Sequence, residues 1–313
     1  MTRRVLAALV AAPWVLWALG RTLGLDGGHP FVAAMSYTPY AAASSPLPVV
    51  AALVLRRRIT AAVAGLAAGA LALAVVPRAV PGGEPDVAGP RLTVMTANLF
   101  KGHADPDAVV ALARRYDADV LSLQELTPAS LARLDGAGML RLLPNRAAVT
   151  REGASGTALL SRLPLRALPG RDARDHAQPQ ARLALQGAPP VLLTAVHPAP
   201  PISAESEDGW QRALEALPPA TDDAVRILAG DFNATLDHRA LRGVLDRGYA
   251  DAAERAGTGL RPTWPAIRRG VPPITIDHVL VDRHVRVESV RVAPLPGSDH
   301  RAVIAQLRLP AGQ

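Results

Sequence analysis

Three long stretches without a charged side chain occupy most of the first 77 residues of this 313-residue chain. They cover residues 5–20, 27–55 and 59–77. A helix of about 20 mostly apolar residues crosses a lipid bilayer, so this succession predicts about three transmembrane helices. The middle stretch contains Pro39, Pro46 and Pro48 together with several hydroxyl side chains, and a broken or kinked helix is expected there.

The basic residues that flank these stretches predict an orientation. Arginines near the ends of spans favour the cytoplasmic side. With three spans, Arg3 and Arg4 lie on the cytoplasmic side together with Arg56, Arg57 and Arg58. The chain after the third span then lies outside, as the extracytoplasmic domain of a multi-pass cell-membrane protein. Two spans would place the domain on the cytoplasmic side instead. The first stretch also has the layout of a cleaved signal peptide.

A change of composition near residue 90 divides the chain. We expect a transmembrane region at 1–80, a linker rich in proline and glycine at 81–90 and a catalytic domain at 91–313. The whole chain has a net charge of +7, but residues after 90 carry 27 basic and 24 acidic side chains in an interspersed pattern. That pattern gives little support to binding of extended nucleic acid. The absence of cysteine excludes disulfides and thiolate chemistry.

The domain has the sequence pattern of a mixed α/β protein. Apolar and alternating runs predict strands at 91–97, 119–124, 156–161, 180–186, 190–196, 225–230, 274–282, 285–293 and 301–308. Helices are expected at about 105–116, 205–217 and 238–246, the first with an Asp105-Pro106 start. Such an order favours two sheets that pack together with helices outside.

Polar side chains stand where several of these apolar runs end. The positions are Asn98, Glu125, His197, Asp231 with Asn233, Asp277 with His278, and Asp299 with His300. Each cluster alone is typical of a turn. An unpaired charge inside a strand-like run is costly, however, and so many clusters of this kind indicate one shared site at the rim of a rigid core.

The motifs at these positions also carry a family resemblance. Thr-Ala-Asn-Leu at 96–99, Leu-Gln-Glu at 123–125, Gly-Thr-Ala-Leu-Leu-Ser at 156–161, Val-His-Pro at 196–198, Gly-Asp-Phe-Asn at 230–233, Ile-Asp-His-Val at 276–279 and Ser-Asp-His-Arg at 298–301 follow one another in order. This set resembles the endonuclease/exonuclease/phosphatase superfamily, which includes DNase I-like nucleases and sphingomyelinases. The resemblance covers residues 91–313 and implies a four-layer α/β/β/α sandwich (DNase I-like).

The resemblance also implies metal ligands. Asn98 and Glu125 would supply oxygen ligands, which suit Mg²⁺ or Mn²⁺, and Asp299 would bind the metal or its water shell. An acidic residue that DNase-like relatives often carry two positions after the asparagine is replaced here by Phe100. This difference puts a second metal in doubt and weakens the nuclease interpretation.

The catalytic roles follow from the same resemblance. Asp231 would orient and activate water with the help of Asn233, and His197 would contact the phosphate. A carboxylate beside an imidazole fixes its tautomer and favours its protonated form, so Asp277 is expected to pair with His300. Trp264 fits a substrate-facing position and a buried loop anchor equally well. No role is assigned to His103, His176 or His278.

Three functions remain as hypotheses. The first is a membrane-anchored, Mg²⁺-dependent phosphoesterase that acts on a phosphomonoester, pyrophosphate or phosphodiester, with the lipid bilayer and a lipid-linked substrate as its partners. The short linker favours it, because a 13-residue tether at 78–90 spans at most about 45 Å. The alternative is a tethered endo/exonuclease for extracellular DNA, which would show strong salt dependence. The third is a non-catalytic membrane protein that binds a phosphorylated ligand.

Overall fold

A computed structural model describes residues 2–173, 176–267 and 270–312. Its helices are α1 (Arg3–Leu23), α2 (Phe31–Met35), α3 (Thr38–Ser44), α4 (Pro46–Val54), α5 (Arg58–Val75), α6 (Pro106–Arg115), α7 (Pro128–Gly136), α8 (Met139–Leu142), α9 (Ala204–Glu215), α10 (Arg239–Leu245) and α11 (Ala252–Arg255). Its strands are β1 (Arg91–Asn98), β2 (Val120–Gln124), β3 (Asn145–Val149), β4 (Thr157–Ser161), β5 (Leu165–Ala173), β6 (His176–Leu183), β7 (Val191–Val196), β8 (Val225–Asp231), β9 (Tyr249–Asp251), β10 (Asp277–Asp282), β11 (Arg286–Pro294) and β12 (Arg301–Arg308).

The described strands form two six-stranded sheets that pack face to face. The first sheet has the order β11-β12-β1-β2-β4-β3, and the second has the order β5-β6-β7-β8-β10-β9. Apolar side chains from both sheets fill the layer between them. Helices α6, α7 and α8 cover the outer face of the first sheet, and α9 and α10 cover the outer face of the second. The expected four-layer α/β/β/α sandwich is therefore confirmed.

Strand direction brings several chain segments to one edge of this sandwich. The pairs β1–β2 and β7–β8 are parallel, so their carboxyl ends lie together. Strand β12 is antiparallel to β1, and β10 is antiparallel to β8, which places the starts of these two strands at the same edge. All the predicted polar clusters therefore lie on one rim of the sandwich.

The predicted elements largely agree with the observed ones, and the differences have local causes. Strands β3, β5 and β9 were not expected, because β3 is a largely exposed strand at the edge of its sheet and β5 contains an irregularity between Leu168 and Arg171. Helix α7 was also missed, although Thr127 and Ser130 form a capping box at its start. The strand expected at 274–282 begins at Asp277, because residues 274–276 bond to the loop at 263–264 and to Phe232.

The charge-free stretches form a helical region whose outer surface is apolar. Helices α1 and α5 pack on each other and on α4. By length and composition, Arg3–Leu23 and Arg58–Ala79 are suited to crossing a bilayer, whereas Thr38–Val54 is shorter. The expected count of about three spans is not confirmed, because the middle stretch is divided into α2, α3 and α4, with prolines in the first turns of α3 and α4. The Arg3–Leu23 helix also fits a signal sequence.

Polar contacts hold the ends of these helices on the α/β domain. Both terminal nitrogens of Arg78 donate to the buried carboxylate of Asp237, at 2.8 and 2.6 Å, and Arg21 donates to the same carboxylate at 3.1 Å. The ring Nε2 of His238 lies 2.8 Å from the Val32 carbonyl oxygen. The Val32 side chain is itself part of the core cluster beneath α9 and α10. The helical region and the domain therefore share buried contacts.

Gly230 provides a test of the close packing between β7 and β8. A Cβ at this position would overlap the backbone of Val196, including its carbonyl oxygen. We expect Gly230→Ala to lower the free energy of unfolding by about 3 kcal/mol, since backbone strain adds to overpacking. Gly209→Ala is the matched control, because nothing lies within 4 Å of that position on α9 and alanine is the better helix former.

Chemical denaturation of both variants in detergent measures the difference. A Gly230→Ala protein as stable as the Gly209→Ala protein would contradict the close approach of the two strands.

Candidate active site

The candidate site residues extend the apolar face that lies between the two sheets. In β8, Ile227 and Ala229 point into the intersheet layer, and the period of two places Asp231 on the same side. In β7, Leu193 and Ala195 lead in the same way to His197. The same alternation leads from Leu92 and Val94 to Asn98, and from Val281 and Val279 back to Asp277. The polar side chains of the candidate site therefore lie at the rim of the apolar layer between the sheets.

The carboxylate of Asp231 is the centre of the cluster. Its Oδ2 accepts a hydrogen bond from Asn98 Nδ2 at 3.0 Å and lies 3.8 Å from His197 Nε2 and 3.7 Å from His300 Nε2. Its Oδ1 accepts from the backbone N–H of Asn233 at 2.8 Å. Two N–H donors thus fix the orientation of a carboxylate that is almost completely buried.

Asp277 and His300 form the predicted pair. The ring Nδ1 of His300 lies 2.9 Å from Asp277 Oδ2, and its Nε2 points towards Asp231 and lies 3.9 Å from Asp299 Oδ1. The indole N–H of Trp264 donates to Asp299 Oδ2 at 3.2 Å, and the indole ring is 6.5 Å from the His300 ring. Trp264 therefore lies at the site.

Glu125 and Asn98 meet beside Asp231. Asn98 Nδ2 also donates to Glu125 Oε1 at 3.3 Å, while Asn98 Oδ1 accepts from the Phe100 N–H. Glu125 itself has a left-handed backbone (φ 56°), and its Oε2 accepts from the Lys101 N–H at 2.7 Å. In this orientation Asn98 positions two carboxylates, and its role as a metal ligand remains a prediction.

Asn233 lies at the site but is partly engaged elsewhere. Its backbone is left-handed (φ 49°), and its Nδ2 donates to the Pro198 carbonyl at 3.0 Å. Its backbone N–H, by contrast, holds Asp231. A contribution of the Asn233 side chain to catalysis therefore remains a prediction.

Sequence analysis assigned no role to His176 and left Trp264 undecided. The His176 ring lies 5.2 Å from the His197 ring in an edge-to-face arrangement. The sequence pattern gave no signal for His176, because the strand was expected to begin at residue 180, whereas β6 begins at His176. His278 is a structural residue, since it contacts Asp251 and the Ala234 carbonyl, each at 2.8 Å.

Burial and neighbouring charges separate the protonation states of these groups. Burial, together with the charge of Asp277, raises the pKa of Asp231 to about 7. Burial also lowers the pKa of His197 to about 3, with His176 and His300 adding to the effect, so this imidazole is neutral. Burial alone would lower the pKa of His300, but the carboxylates of Asp277 and Asp231 raise it to about 10. The site therefore pairs a neutral imidazole with an imidazolium.

The donor atoms at the site fit a divalent cation. Burial raises the pKa of Glu125, and Asp277 Oδ1 is buried without a hydrogen-bond partner among the described residues; a cation would stabilise such carboxylates. In the described part of the chain, Asp231, Asp277 and His300 form a group with ligand atoms within 4.8 Å of one another. The oxygen atoms of Glu125 and Asp299 suit a hard cation.

The fold and the site together define a DNase I-like α/β domain with an acid and histidine cluster at one rim. The model of the Endonuclease/Exonuclease/phosphatase family matches residues 95–300, and the chain belongs to this family. Its members are hydrolases that act on phosphoester bonds and use divalent metals. Among proteins of curated function, none matches the chain in sequence at a significant level.

Solved structures share this fold at low sequence identity. Humanized D. rerio TDP2 with 14 mutations has a TM-score of 0.57 and 19% identity, over 70% of this chain and 99% of that chain. An endonuclease/exonuclease/phosphatase from Beutenbergia cavernae DSM 12333 has a TM-score of 0.55 and 20% identity, over 70% and 72%. D. rerio TDP2 complexed with single strand DNA product has a TM-score of 0.54 and 19% identity, over 70% and 99%. The TM-scores establish the common fold.

The Asp277–His300 pair gives a prediction about catalysis. Asp277→Asn keeps the size of the side chain but removes the charge that raises the pKa of His300. We expect kcat to fall by about 100-fold or more, because a carboxylate that orients and charges a catalytic histidine contributes on this scale. Steady-state kinetics checks the value. A loss of less than about threefold would contradict a role for this pair in the reaction.

Proposed function

We propose that this chain is a membrane-anchored, metal-dependent phosphoesterase that hydrolyses a phosphomonoester, pyrophosphate or phosphodiester by in-line attack of water. We further propose that its substrate is linked to a lipid. The observation that carries the hydrolytic function is the convergence of Asn98, His197 and His300 within 4 Å of one oxygen atom of Asp231. This arrangement offers a base, a neutral donor and a cation to a single phosphoryl group.

Asp231 is the group that orients and deprotonates the attacking water. A base works best when its pKa is near the working pH, and burial raises the pKa of Asp231 to about 7. Hydrogen bonds from Asn98 and the Asn233 backbone fix the carboxylate, so little reorientation is needed as the water attacks. Positioning of this kind supplies much of the rate enhancement in phosphoryl transfer.

Two histidines stabilise the charge that develops on the phosphoryl oxygens. His300 is an imidazolium held by Asp277, and its Nε2–H faces the site. His197 is neutral, and its Nε2 lies 3.8 Å from Asp231 Oδ2, where the Nε2–H tautomer would donate a hydrogen bond to a phosphoryl oxygen. Fixed donors in a buried site stabilise a transition state more strongly than water does.

Glu125 and Asp299, with Asn98 beside them, are the residues that would hold a divalent metal, Mg²⁺ or Mn²⁺. We favour this set over the Asp231, Asp277 and His300 group, because an imidazolium paired with Asp277 offers no lone pair to a metal. Such a metal supplies Lewis-acid stabilisation of charge on the phosphoryl oxygen.

The helical region supports a lipid-linked substrate and an extracytoplasmic domain. The carboxyl ends of α1 and α5 both lie at the domain, which is bonded by Arg21 of α1 and by Arg78 in the turn that follows α5. At about 1.5 Å per residue, their amino ends lie roughly 30 Å away along the helices, and Arg3, Arg4 and Arg58 are found there. If the helices span a bilayer, this places the arginines in the cytoplasm and the domain outside.

The proposal is tested with the full-length chain in detergent. Release of phosphate from a polyprenyl pyrophosphate is compared with cleavage of double-stranded DNA, each with Mg²⁺ and with a chelator. We expect metal-dependent turnover of the lipid that is lost in His300→Ala. Cleavage of DNA alone would replace the proposal by a nuclease function, and inactivity towards both would remove the support for a lipid-linked substrate.

A further inference from the structure

Two apolar cavities flank helix α3 in the helical region. The aromatic cavity, of about 280 Å³, lies between α1 and α3 and is lined by Trp14, Trp17, Tyr37, Tyr40 and Ala41. The strap cavity, of about 240 Å³, lies between α3 and the catalytic domain and is lined by Pro39, Tyr40, Ala43, Leu236, Leu260 and Ile274. Tyr40 lines both, so the two cavities lie on either side of this side chain, and together they are called the apolar path below.

The polar atoms of the aromatic residues are turned into the protein. The indole N–H of Trp14 donates to Ser44 Oγ at 3.1 Å, and that of Trp17 donates to Thr38 Oγ1 at 3.0 Å. The hydroxyl of Tyr40 donates to the Pro273 carbonyl at 2.7 Å. With these donors engaged, the aromatic rings offer the cavities carbon surface. Such a surface suits a hydrocarbon better than a peptide, whose backbone N–H and C=O groups need partners.

The strap cavity is lined by residues that lie close in sequence to the candidate active site. Its lining includes Thr235 and Thr275, which lie two residues from Asn233 and Asp277 respectively. Two residues span at most about 7 Å. The loop that forms this side of the cavity pairs Ile274 with Trp264, whose indole N–H bonds to Asp299. The apolar path therefore begins beside residues that hold the catalytic groups and the metal in the proposed function.

The other end of the path lies among the apolar helices. Large apolar side chains such as Leu16, Leu19 and Leu47 are exposed on the outer faces of α1 and α4. An exposed apolar surface of this extent marks a membrane or interaction site. The two cavities thus lie between the exposed apolar surface of the helices and the loops that carry residues of the candidate site.

We propose that the aromatic cavity and the strap cavity hold the hydrocarbon chain of a lipid phosphate or pyrophosphate while its headgroup lies in the active site. This inference rests on the proposed function and adds to it a specificity site for the chain, formed by α1, α3 and the domain. The cavities select for a long chain attached directly to the phosphate, because their lining begins within two residues of the catalytic groups.

Ala43→Trp in the full-length chain tests this site, because an indole at the exposed Ala43 would fill the strap cavity. Ala62→Trp is the matched control, since Ala62 is exposed on α5 and does not line either cavity. The value of kcat/KM is measured in detergent for a polyprenyl pyrophosphate and for a short-chain prenyl pyrophosphate. Ala43→Leu is a milder variant of the same kind, and thermal unfolding confirms that each protein is folded.

We expect Ala43→Trp to lower kcat/KM for the long-chain substrate at least about tenfold, as blocking a hydrophobic subsite does, and to leave the short-chain value within about twofold. Ala62→Trp should change neither value. Equal effects on both substrates, or no effect on the long chain, would overturn the chain site while leaving the phosphoesterase intact. Wild-type inactivity towards both substrates would overturn the proposed lipid phosphoesterase, and the chain site with it.

Discussion

Asp231→Asn is expected to lower kcat by at least about a thousandfold. The amide cannot accept the proton of the attacking water, and general-base catalysis alone contributes about 100- to 10,000-fold. The substitution also removes a negative charge that helps to raise the pKa of His300, so both the base and the cation of the site are weakened. Replacement of Asn98, which holds Asp231 through one hydrogen bond, should cost less.

Single-turnover kinetics on the full-length protein separates this chemical step from binding. Asp208→Asn is the matched control, because Asp208 is exposed on α9 and the same change of charge there should leave kcat unaltered. A residual rate above about one tenth of wild type in Asp231→Asn would exclude Asp231 as the base.

Arg78→Met is expected to lower the free energy of unfolding by about 3 to 5 kcal/mol. Removing one partner of a buried ion pair leaves the other charge uncompensated, with a cost of this size. The carboxylate of Asp237 is fully buried, and Arg78 makes two of the hydrogen bonds that it accepts. Arg21 would remain as a partner, at one hydrogen bond, which places the expected loss near the lower limit.

Chemical denaturation in detergent measures this loss against Arg286→Met, which removes an exposed arginine from β11 and should change stability by less than about 0.5 kcal/mol. If the two variants unfolded at the same denaturant concentration, the helical region would not be joined to the domain through Asp237. A low stability of Arg78→Met would in turn show that residues 1–80 contribute to the stability of the catalytic domain.

Most of the fold and the location of the site could be predicted from sequence because both depend on the alternation of side chains along strands. Apolar residues at every second position lead directly to Asp231 in β8 and to His197 after β7. The same rule leads to Asn98 at the end of β1. Once the strand directions bring these ends to one rim, the polar positions must meet.

The orientation of the site groups could not be predicted in the same way. Asn98 turns its nitrogen towards Glu125 and Asp231 because the Phe100 N–H engages its oxygen, and that turn has no strand periodicity. Trp264 reaches Asp299 from an irregular loop. Irregular backbone follows local hydrogen bonds, which a pattern of apolar residues does not encode.

The contacts between the helical region and the domain were also beyond sequence analysis. The charge-free stretches predicted apolar helices, and two suited to crossing a bilayer are present. Nothing in their pattern indicated that Arg78 would pair with Asp237, 159 residues away, or that Val32 would enter the domain core. Which arginine pairs with the buried carboxylate of Asp237 depends on tertiary packing, which the sequence pattern does not show.

Hydrolysis in ¹⁸O-labelled water tests the central claim most directly, which is that water attacks phosphorus at the Asp231 site. The wild-type chain turns over its phosphoester with Mg²⁺ in labelled water, and mass spectrometry locates the label. The account predicts one ¹⁸O atom in the released phosphoryl product, none in the alcohol or other leaving group, and loss of this incorporation in Asp231→Asn. Label in the leaving group, or unchanged incorporation in Asp231→Asn, would contradict it.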